Sequence, residues 1–269
     1  MPPRISICVL AMNEADKIAC ALESARGRAW CDEILIFDSG STDDTVEIAQ
    51  RFTDRIERHP WVNFSENRRQ LVAAARNPWV FILDADEEIT DELAHEIETL
   101  PDEQFTRHAM FVMPRRNYLL GRYVRAWGPD RVARLIDRTR VRWPERLVHD
   151  RPEPVKGTVV KLRHPLLHKR MAYDWGDYFD GRRYQQRTEA LAREMYQRGR
   201  RVGYVGLLLR PIGAFFKFYV LKGGFLDGAF GLLVAQKTAV SVQLKYARLW
   251  EMQGRHEIEP SSNRTGSFP

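Results

Sequence analysis

The sequence predicts an α/β protein, with a mixed, mainly parallel sheet flanked by helices and a C-terminal helical extension of different character. Three observations carry that prediction. Short apolar runs alternate with segments of helical spacing through the N-terminal third. Three of those runs end in Asn, Asp or Glu. Beyond residue 202 the chain turns into apolar and aromatic pieces separated by single basic residues.

Residues 5–10, Ile-Ser-Ile-Cys-Val-Leu, form a buried strand by their apolar continuity. Residues 16–26 carry Ile18, Ala21, Leu22 and Ala25 at helical spacing. Residues 33–37 are a second buried strand that ends at Asp38. Gly40 and Ser41 then turn the chain, and Ser41 is expected to cap a helix over 43–52 with Asp44 as its capping-box partner. A short strand is expected over 55–58. A helix over 64–76 points Leu71, Val72 and Ala75 inward. A strand over 79–83 ends at Asp84. Strands and helices alternating in this way make a parallel sheet covered on both faces. Ligands of such sheets sit at the carboxyl ends of the strands.

A helix is expected over 91–100 and a strand over 110–113. The Arg-, Trp- and Pro-rich stretch 115–170 suits antiparallel strands and loops, with extended runs at 131–136 and 155–162. A charged helix is expected over 177–201.

The chain has 269 residues, is 44% hydrophobic and has a formal net charge of +6. It can fill a core, and its basic balance suits anionic partners. The 3 cysteines, Cys8, Cys20 and Cys31, have no metal-ligand spacing and fit a reduced compartment with buried thiols. No signal-peptide pattern opens the sequence. No uninterrupted apolar run reaches the roughly 20 residues of a spanning helix. Nucleic acid is not an expected partner: the positive charge is scattered and the expected site edge is acidic.

Asp84-Ala85-Asp86 follows a buried strand. In an extended segment its two carboxylates point to one side. They would repel each other unless a cation joined them. Hard oxygen ligands of this kind suit Mg²⁺ or Mn²⁺ and leave positions for phosphate oxygens. A solvated acidic turn before the helix at Thr90 would leave the same trace. Asp38 can accept hydrogen bonds from a base or ribose, and its loop enters a helix N-terminus that favours anions. Ser41 and Asp43 also fit an ordinary helix cap. Asn13 and Glu14 complete the polar edge.

The combination resembles the inverting glycosyltransferases of family 2, with the GT-A fold. The resemblance rests on Ile5-Ser-Ile-Cys-Val-Leu-Ala-Met-Asn-Glu14, on Glu33-Ile-Leu-Ile-Phe-Asp-Ser-Gly-Ser-Thr-Asp43 and on Trp79-Val-Phe-Ile-Leu-Asp-Ala-Asp-Glu87. Within the family it is nearest the lipopolysaccharide core glucosyltransferases that act on heptose. That part rests on Arg131-Val-Ala-Arg-Leu-Ile136, Leu147-Val-His-Asp150, Tyr219-Val-Leu-Lys-Gly-Gly-Phe-Leu-Asp-Gly228 and Lys245-Tyr-Ala-Arg-Leu-Trp250.

The expected division is a catalytic domain over 1–175, a membrane-associating helical region over 176–255 and a disordered tail over 256–269. The resemblance implies a nucleotide-sugar donor, UDP-glucose in the subgroup, with Mg²⁺ or Mn²⁺. It places Glu14 and Asp38 at the nucleoside and Asp84 and Asp86 at the metal and diphosphate; Asn13 and Ser41 are further candidates for the nucleotide site. Arg68 would touch phosphate, or be a solvated helix arginine. Inversion needs a carboxylate to take the acceptor's proton. Asp150 is the first candidate, although the pattern there usually ends in Glu; Asp130 is the second. His149 would position the acceptor, and His168 is a further candidate metal ligand.

Phe215, Phe216, Phe218, Tyr219 and Phe225 lie among Arg210, Lys217 and Lys222. Aromatic surface beside basic residues suits a helix in the interface of an anionic bilayer. A lipid-linked saccharide acceptor would give that address a use, on the cytoplasmic, inner face of the cell membrane. A helical hairpin packed on the rest of the chain is the competing reading. Other family 2 acceptors, or a catalytically inactive membrane-associated nucleotide binder, are the alternatives for the whole.

Overall fold

A computed structural model describes residues 2–144, 151–170 and 182–258. Two compact units divide the chain, Met1–Asp174 and Trp175–Pro269.

The first unit begins as β1 (Ile5–Ala11), α1 (Ile18–Ala25), β2 (Cys31–Asp38), α2 (Thr45–Ala49), β3 (Ile56–Arg58), α3 (Phe64–Ala74) and β4 (Trp79–Asp84). It continues with β5 (Glu87–Ile89), α4 (Asp91–Glu98), α5 (Asp102–Arg107), β6 (His108–Leu119), β7 (Arg122–Tyr123) and β8 (Asp130–Asp137). β9 (Val141–Arg142), β10 (Glu153–Pro154), β11 (Thr158–Lys161) and β12 (Leu166–Arg170) complete it. One sheet of 10 strands runs β3-β2-β1-β4-β8-β6-β12-β5, with β11 and β7 also paired to β6. β1 pairs in parallel with β2 and β4, while β8 enters antiparallel between β4 and β6. The expected mixed, mainly parallel architecture is what the chain adopts.

Side-chain alternation along the strands divides the core in two. Ile5, Ile7 and Val9 face a layer built on α1, α4 and α5, with Ile18, Leu22, Leu93 and Phe105. Cys8, Leu35 and Val80 face α3 through Leu71 and Val72. Asn63 caps α3 by accepting from Glu66 N at 2.9 Å, and Thr90 caps α4 by accepting from Leu93 N at 3.1 Å.

Several boundaries differ from expectation. The stretch beyond residue 108 extends the same sheet, and two of its strands, β11 and β12, run parallel to β6. β6 is much longer than the expected strand and runs through Pro114. That proline, which lacks an N–H, falls between Val112, the last partner of β11, and Arg115, the first partner of β12. α2 is shorter than expected, and Ser41 does not cap it. Its hydroxyl accepts from Asn13 N at 2.9 Å, while Asp43 Oδ1 accepts from Thr45 N at 3.1 Å. Of the thiols only Cys8 is buried; Cys20 is exposed.

The second unit holds α6 (Arg182–Gln197), α7 (Tyr204–Phe216) and α8 (Gly228–Ile258). α7 continues through a π-helical turn, Lys217–Leu221, and a 3-10 turn, Gly224–Asp227, precedes α8. A Cβ on Gly231 would run into the Gly224 carbonyl, so this close approach requires glycine. Ala192, Val202, Tyr246 and Leu249 form a small core. α8 extends to Ile258, and the remainder of the expected tail, 259–269, lies outside the described residues.

The tail pieces that the sequence separates at Arg210 and Lys217 are joined. The helix Tyr204–Leu221 spans 18 residues with a mean hydropathy of 1.4, and none of it is buried. Gly224–Gly254 has a mean hydropathy of 1.2 and is 28% buried. Both are long and apolar enough to cross a membrane by length and composition, which corrects the expectation drawn from uninterrupted runs. A helix absorbs single polar residues on one face. Arg210 in fact turns to α8, donating to the Tyr246 hydroxyl at 2.9 Å with its guanidinium 4.6 Å from the ring centroid.

Candidate functional site

The strand registers bring the polar residues to one edge. Ala11 stands beside Asp38 and Leu10 beside Asp84, so the ends of β1, β2 and β4 are flush. Past β1, Asn13 takes a left-handed backbone at φ 55, which asparagine tolerates. Its Oδ1 accepts from Thr42 N at 2.8 Å. Glu14 N donates to Thr45 Oγ1 at 2.8 Å, and the Glu14 carboxylate accepts from Lys17 Nζ at 2.7 Å. Asn13 and Ser41 thus stitch the loops after β1 and β2 together. Asp38, 5% exposed, closes its own turn by accepting from Gly40 N at 3.1 Å and from Ser41 N. Gly40 has φ +96, a region that favours glycine. A cavity of about 600 Å³ opens beside this turn, lined by Asp38, Ser41, Ile56 and Arg58 among others.

Asp84 and Asp86 do not share an extended segment. Asp84 ends β4, and a turn at Ala85 and Asp86 precedes β5. The two carboxylates are nonetheless close enough that the charge of Asp84 opposes that of Asp86. Asp84 Oδ1 accepts from Arg68 Nη2 at 2.5 Å, and its Oδ2 is paired with Arg134. Arg68 is therefore no solvated helix arginine: its side chain is 12% exposed and pinned to Asp84. Burial alone would raise the Asp84 carboxyl, but Arg134 and Arg68 outweigh it and hold the group well below the usual range. The guanidiniums of Arg134 and Arg68 compensate the charge of Asp84.

Asp86 meets His168. Its Oδ2 lies 3.1 Å from His168 Nε2. Burial works against its charge, and the contact with His168 offsets that, leaving the carboxyl below its ordinary value. His168 reaches the site because β12 pairs with β5, placing it opposite Glu87.

A polar circuit behind these groups was not anticipated from the sequence. Glu87 is fully buried and accepts from Arg134 Nη2 at 2.6 Å and Arg115 Nη1 at 3.0 Å. Arg115 also donates to Asp130 Oδ2 from Nε at 2.9 Å, and Asn117 Nδ2 reaches the same oxygen at 3.2 Å. Burial would raise the Asp130 carboxyl, but Arg115 and Asn117 keep it below the ordinary carboxylate range. The only local hint was the two arginines, Arg131 and Arg134, in an otherwise apolar strand; alternation places one of them inward. Asp150 and His149 lie outside the described residues, so Asp130 is the one candidate base whose surroundings are described.

What the set can do chemically follows from its donors. Among the described residues no group of three or more His, Cys, Asp and Glu side chains stands ready to hold a metal ion. Asp86 and His168 do converge, and one carboxylate with one imidazole fits a hexacoordinate divalent ion that takes its other ligands from phosphate and water.

Residues 6–162 match the family model of glycosyl transferase family 2. That is more than half of the chain, and the chain belongs to this family. An uncharacterized glycosyltransferase of Rickettsia felis is 37% identical over 95 residues, 35% of this chain and 33% of that protein. The chain thus spans about a third of the length of this relative. The lipopolysaccharide core biosynthesis glycosyltransferase LpsC of Rhizobium meliloti is 27% identical over 274 residues, covering 96% of this chain and 95% of that one. Among solved structures, glucosyl-3-phosphoglycerate synthase from Mycobacterium tuberculosis with Mg²⁺ and UDP is similar at a TM-score of 0.46 and 16% identity, over 73% of this chain and 80% of that one. S. aureus TarS 1-349 with UDP-GlcNAc is similar at a TM-score of 0.47 and 11% identity, over 94% and 92%.

Proposed function

We propose that the protein is an inverting, nucleotide-sugar-dependent glycosyltransferase. In this reading it moves glucose from UDP-glucose to a saccharide of a lipid-linked glycan such as the lipopolysaccharide inner core. The observation that carries the reading is the carboxyl edge of the sheet. There Asp86 faces His168 beside a cationic cluster of Arg68, Arg115 and Arg134, next to the turn closed by Asp38. Family membership and the near full-length similarity to a lipopolysaccharide core transferase support it.

Asp86 and His168 would hold Mg²⁺ or Mn²⁺, which supplies charge neutralisation for a departing diphosphate. Asp84 would share that ion and the diphosphate with Asp86, and it also orients Arg68 and Arg134, whose guanidiniums suit phosphate oxygens. Glu14 and Asp38 are placed to meet the nucleoside. The acceptor hydroxyl gives its proton to a carboxylate, Asp130 or Asp150, as its oxygen bonds the anomeric carbon and the bond to the diphosphate breaks. His149 is proposed to position the acceptor.

The second unit is proposed to seat the protein on the inner face of the membrane. Apolar side chains such as Leu208, 65% exposed, and Leu221, 81% exposed, would enter an anionic bilayer. The decisive experiment is a panel of nucleotide sugars with Mn²⁺, scored by release of nucleoside diphosphate in the presence of lipopolysaccharide core acceptors. UDP-glucose turnover is expected; no turnover with any UDP-sugar overturns the donor assignment.

A further inference from the structure

Asn117 lies buried on β6, in register with His168 of β12. On the same strand Arg115 is in register with Asp130 of β8. The Asn117 amide therefore stands between the two. Its Nδ2 is 3.2 Å from Asp130 Oδ2, and its Oδ1 is 2.6 Å from His168 Nδ1.

The two ends of an amide are alike in shape, and hydrogen-bond chemistry decides between them. Asp130 Oδ2 already accepts from Arg115, with Nη2 at 2.8 Å. A carboxylate paired in this way is ionised and can only accept, so the NH₂ end must face it. The amide oxygen is left for the imidazole. It too can only accept, so His168 Nδ1 must carry a hydrogen. Nε2 faces Asp86, to which it donates when the ring is protonated, and in the neutral ring it is the nitrogen left with the electron pair for a cation.

The geometry points to Asn117 as a positioning residue that fixes the His168 hydrogen on Nδ1, keeps Nε2 turned toward Asp86, and ties the ring to Asp130. Without it the ring has one strong acceptor, Asp86, on the Nε2 side. A neutral imidazole would then place its single hydrogen on Nε2 and mask the electron pair that a cation needs. Asn117 supplies a competing acceptor at 2.6 Å on the other nitrogen. It joins a candidate cation ligand and a candidate base through one side chain, so their spacing is set by the backbone of β6. The inference rests on the reading of Asp86 and His168 as the protein's share of a cation site.

The test has two readouts on the full chain. The first is long-range ¹H–¹⁵N correlation of histidine-labelled protein at alkaline pH without added metal, with the His168 signal assigned from its loss in His168→Gln. A hydrogen on Nδ1 is expected in the wild type, and a shift toward Nε2 in Asn117→Ala. A neutral wild-type ring bearing its hydrogen on Nε2 overturns the inference. The second is Mn²⁺ affinity by electron paramagnetic resonance. Asn117→Ala is expected to weaken it on the order of 10- to 100-fold. Asn117→Asp keeps the acceptor for His168 but loses the donor for Asp130, and is expected to bind within a few-fold of wild type. Equal affinity in Asn117→Ala and wild type also overturns it. A wild type that binds no Mn²⁺ sinks the cation reading, and the tautomer measurement still decides the role of Asn117.

Discussion

Arg134 of β8 is paired with Asp84 at the end of β4 and donates to the fully buried Glu87 at 2.6 Å, so one guanidinium bridges the strand end and the start of β5. The arginine is 4% exposed. Removing it takes one of two guanidiniums from each of two carboxylates, Asp84 keeping Arg68 and the wholly buried Glu87 keeping Arg115. An uncompensated buried charge costs about 3–5 kcal/mol, and the partner each carboxylate keeps holds the cost near the lower end of that range. Arg134→Met should therefore lower the unfolding free energy by roughly that amount and abolish transfer. A urea midpoint within error of wild type would contradict this account of the network.

The same pair sets a pH dependence. The Asp84 carboxyl is held below its unfolded value near 4. A depressed folded value contributes stability that is present above the unfolded value and is lost as pH falls toward the folded one. Wild-type stability should fall steadily below about pH 4. In Arg134→Met one of the two guanidiniums is gone, the Asp84 value moves up, and the acid loss should be shallower. Parallel slopes for both proteins from pH 5 to 2 would count against Arg134 as the dominant cation.

The acidic strand ends were legible because they follow unbroken apolar runs, and burial on both sides of a parallel sheet leaves that trace. Their partners were not. Arg134 is 50 residues from Asp84, His168 is 82 from Asp86 and 51 from Asn117. Only strand pairing brings them together, and β12 joins the sheet beside β6 with no local pattern to announce its register. Local alternation also misjudged the turn at Ala85, since one residue of helical or turn backbone cancels a period-two argument. In the tail, Arg210 and Lys217 interrupt the apolar pattern of the sequence, yet the helix continues through both.

Asp86→Ala should abolish transfer and leave the fold intact. The side chain of Asp86 is 29% exposed and fills no core position, so the loss to stability is limited to its contact with His168, about 1–2 kcal/mol. A decrease in turnover of at least roughly 100-fold, with thermal unfolding shifted by only a few degrees, is expected. Near wild-type turnover would remove Asp86 from the site.

Asp130→Asn and Asp150→Asn separate the two candidate bases. The variant lacking the true base should lose about 10²- to 10⁴-fold in kcat with little change in KM for the donor. Asp130 accepts from Arg115 and Asn117, so its variant should in addition disturb the circuit and shift the melting temperature. If Asp130→Asn turns over normally, Asp130 is an anchor for Arg115 and the proton goes elsewhere. If both variants are inactive, the pH profile of the residual rate identifies the base, because only its loss removes the acidic limb.

The membrane reading is tested on the full chain by replacing two leucines that the second unit leaves open. Leu208 is 65% exposed on α7, and Leu221, at the end of the π-helical turn, is 81% exposed. Neither contributes much to packing, so Leu208→Glu with Leu221→Glu should fold. Each leucine entering a bilayer contributes about 1.5–3 kcal/mol. The double variant should therefore lose at least 100-fold in partitioning onto vesicles of phosphatidylglycerol and phosphatidylethanolamine, measured by co-sedimentation. Turnover on a short, soluble acceptor should stay near wild type, because the first unit carries the candidate site. Added salt should weaken wild-type binding only in part, since apolar burial is not screened. If the double variant sediments with vesicles as the wild type does, the exposed face of α7 is not the membrane contact. A wild type that ignores anionic vesicles, yet changes its oligomeric state in the double variant, would make that face a contact between copies of the chain.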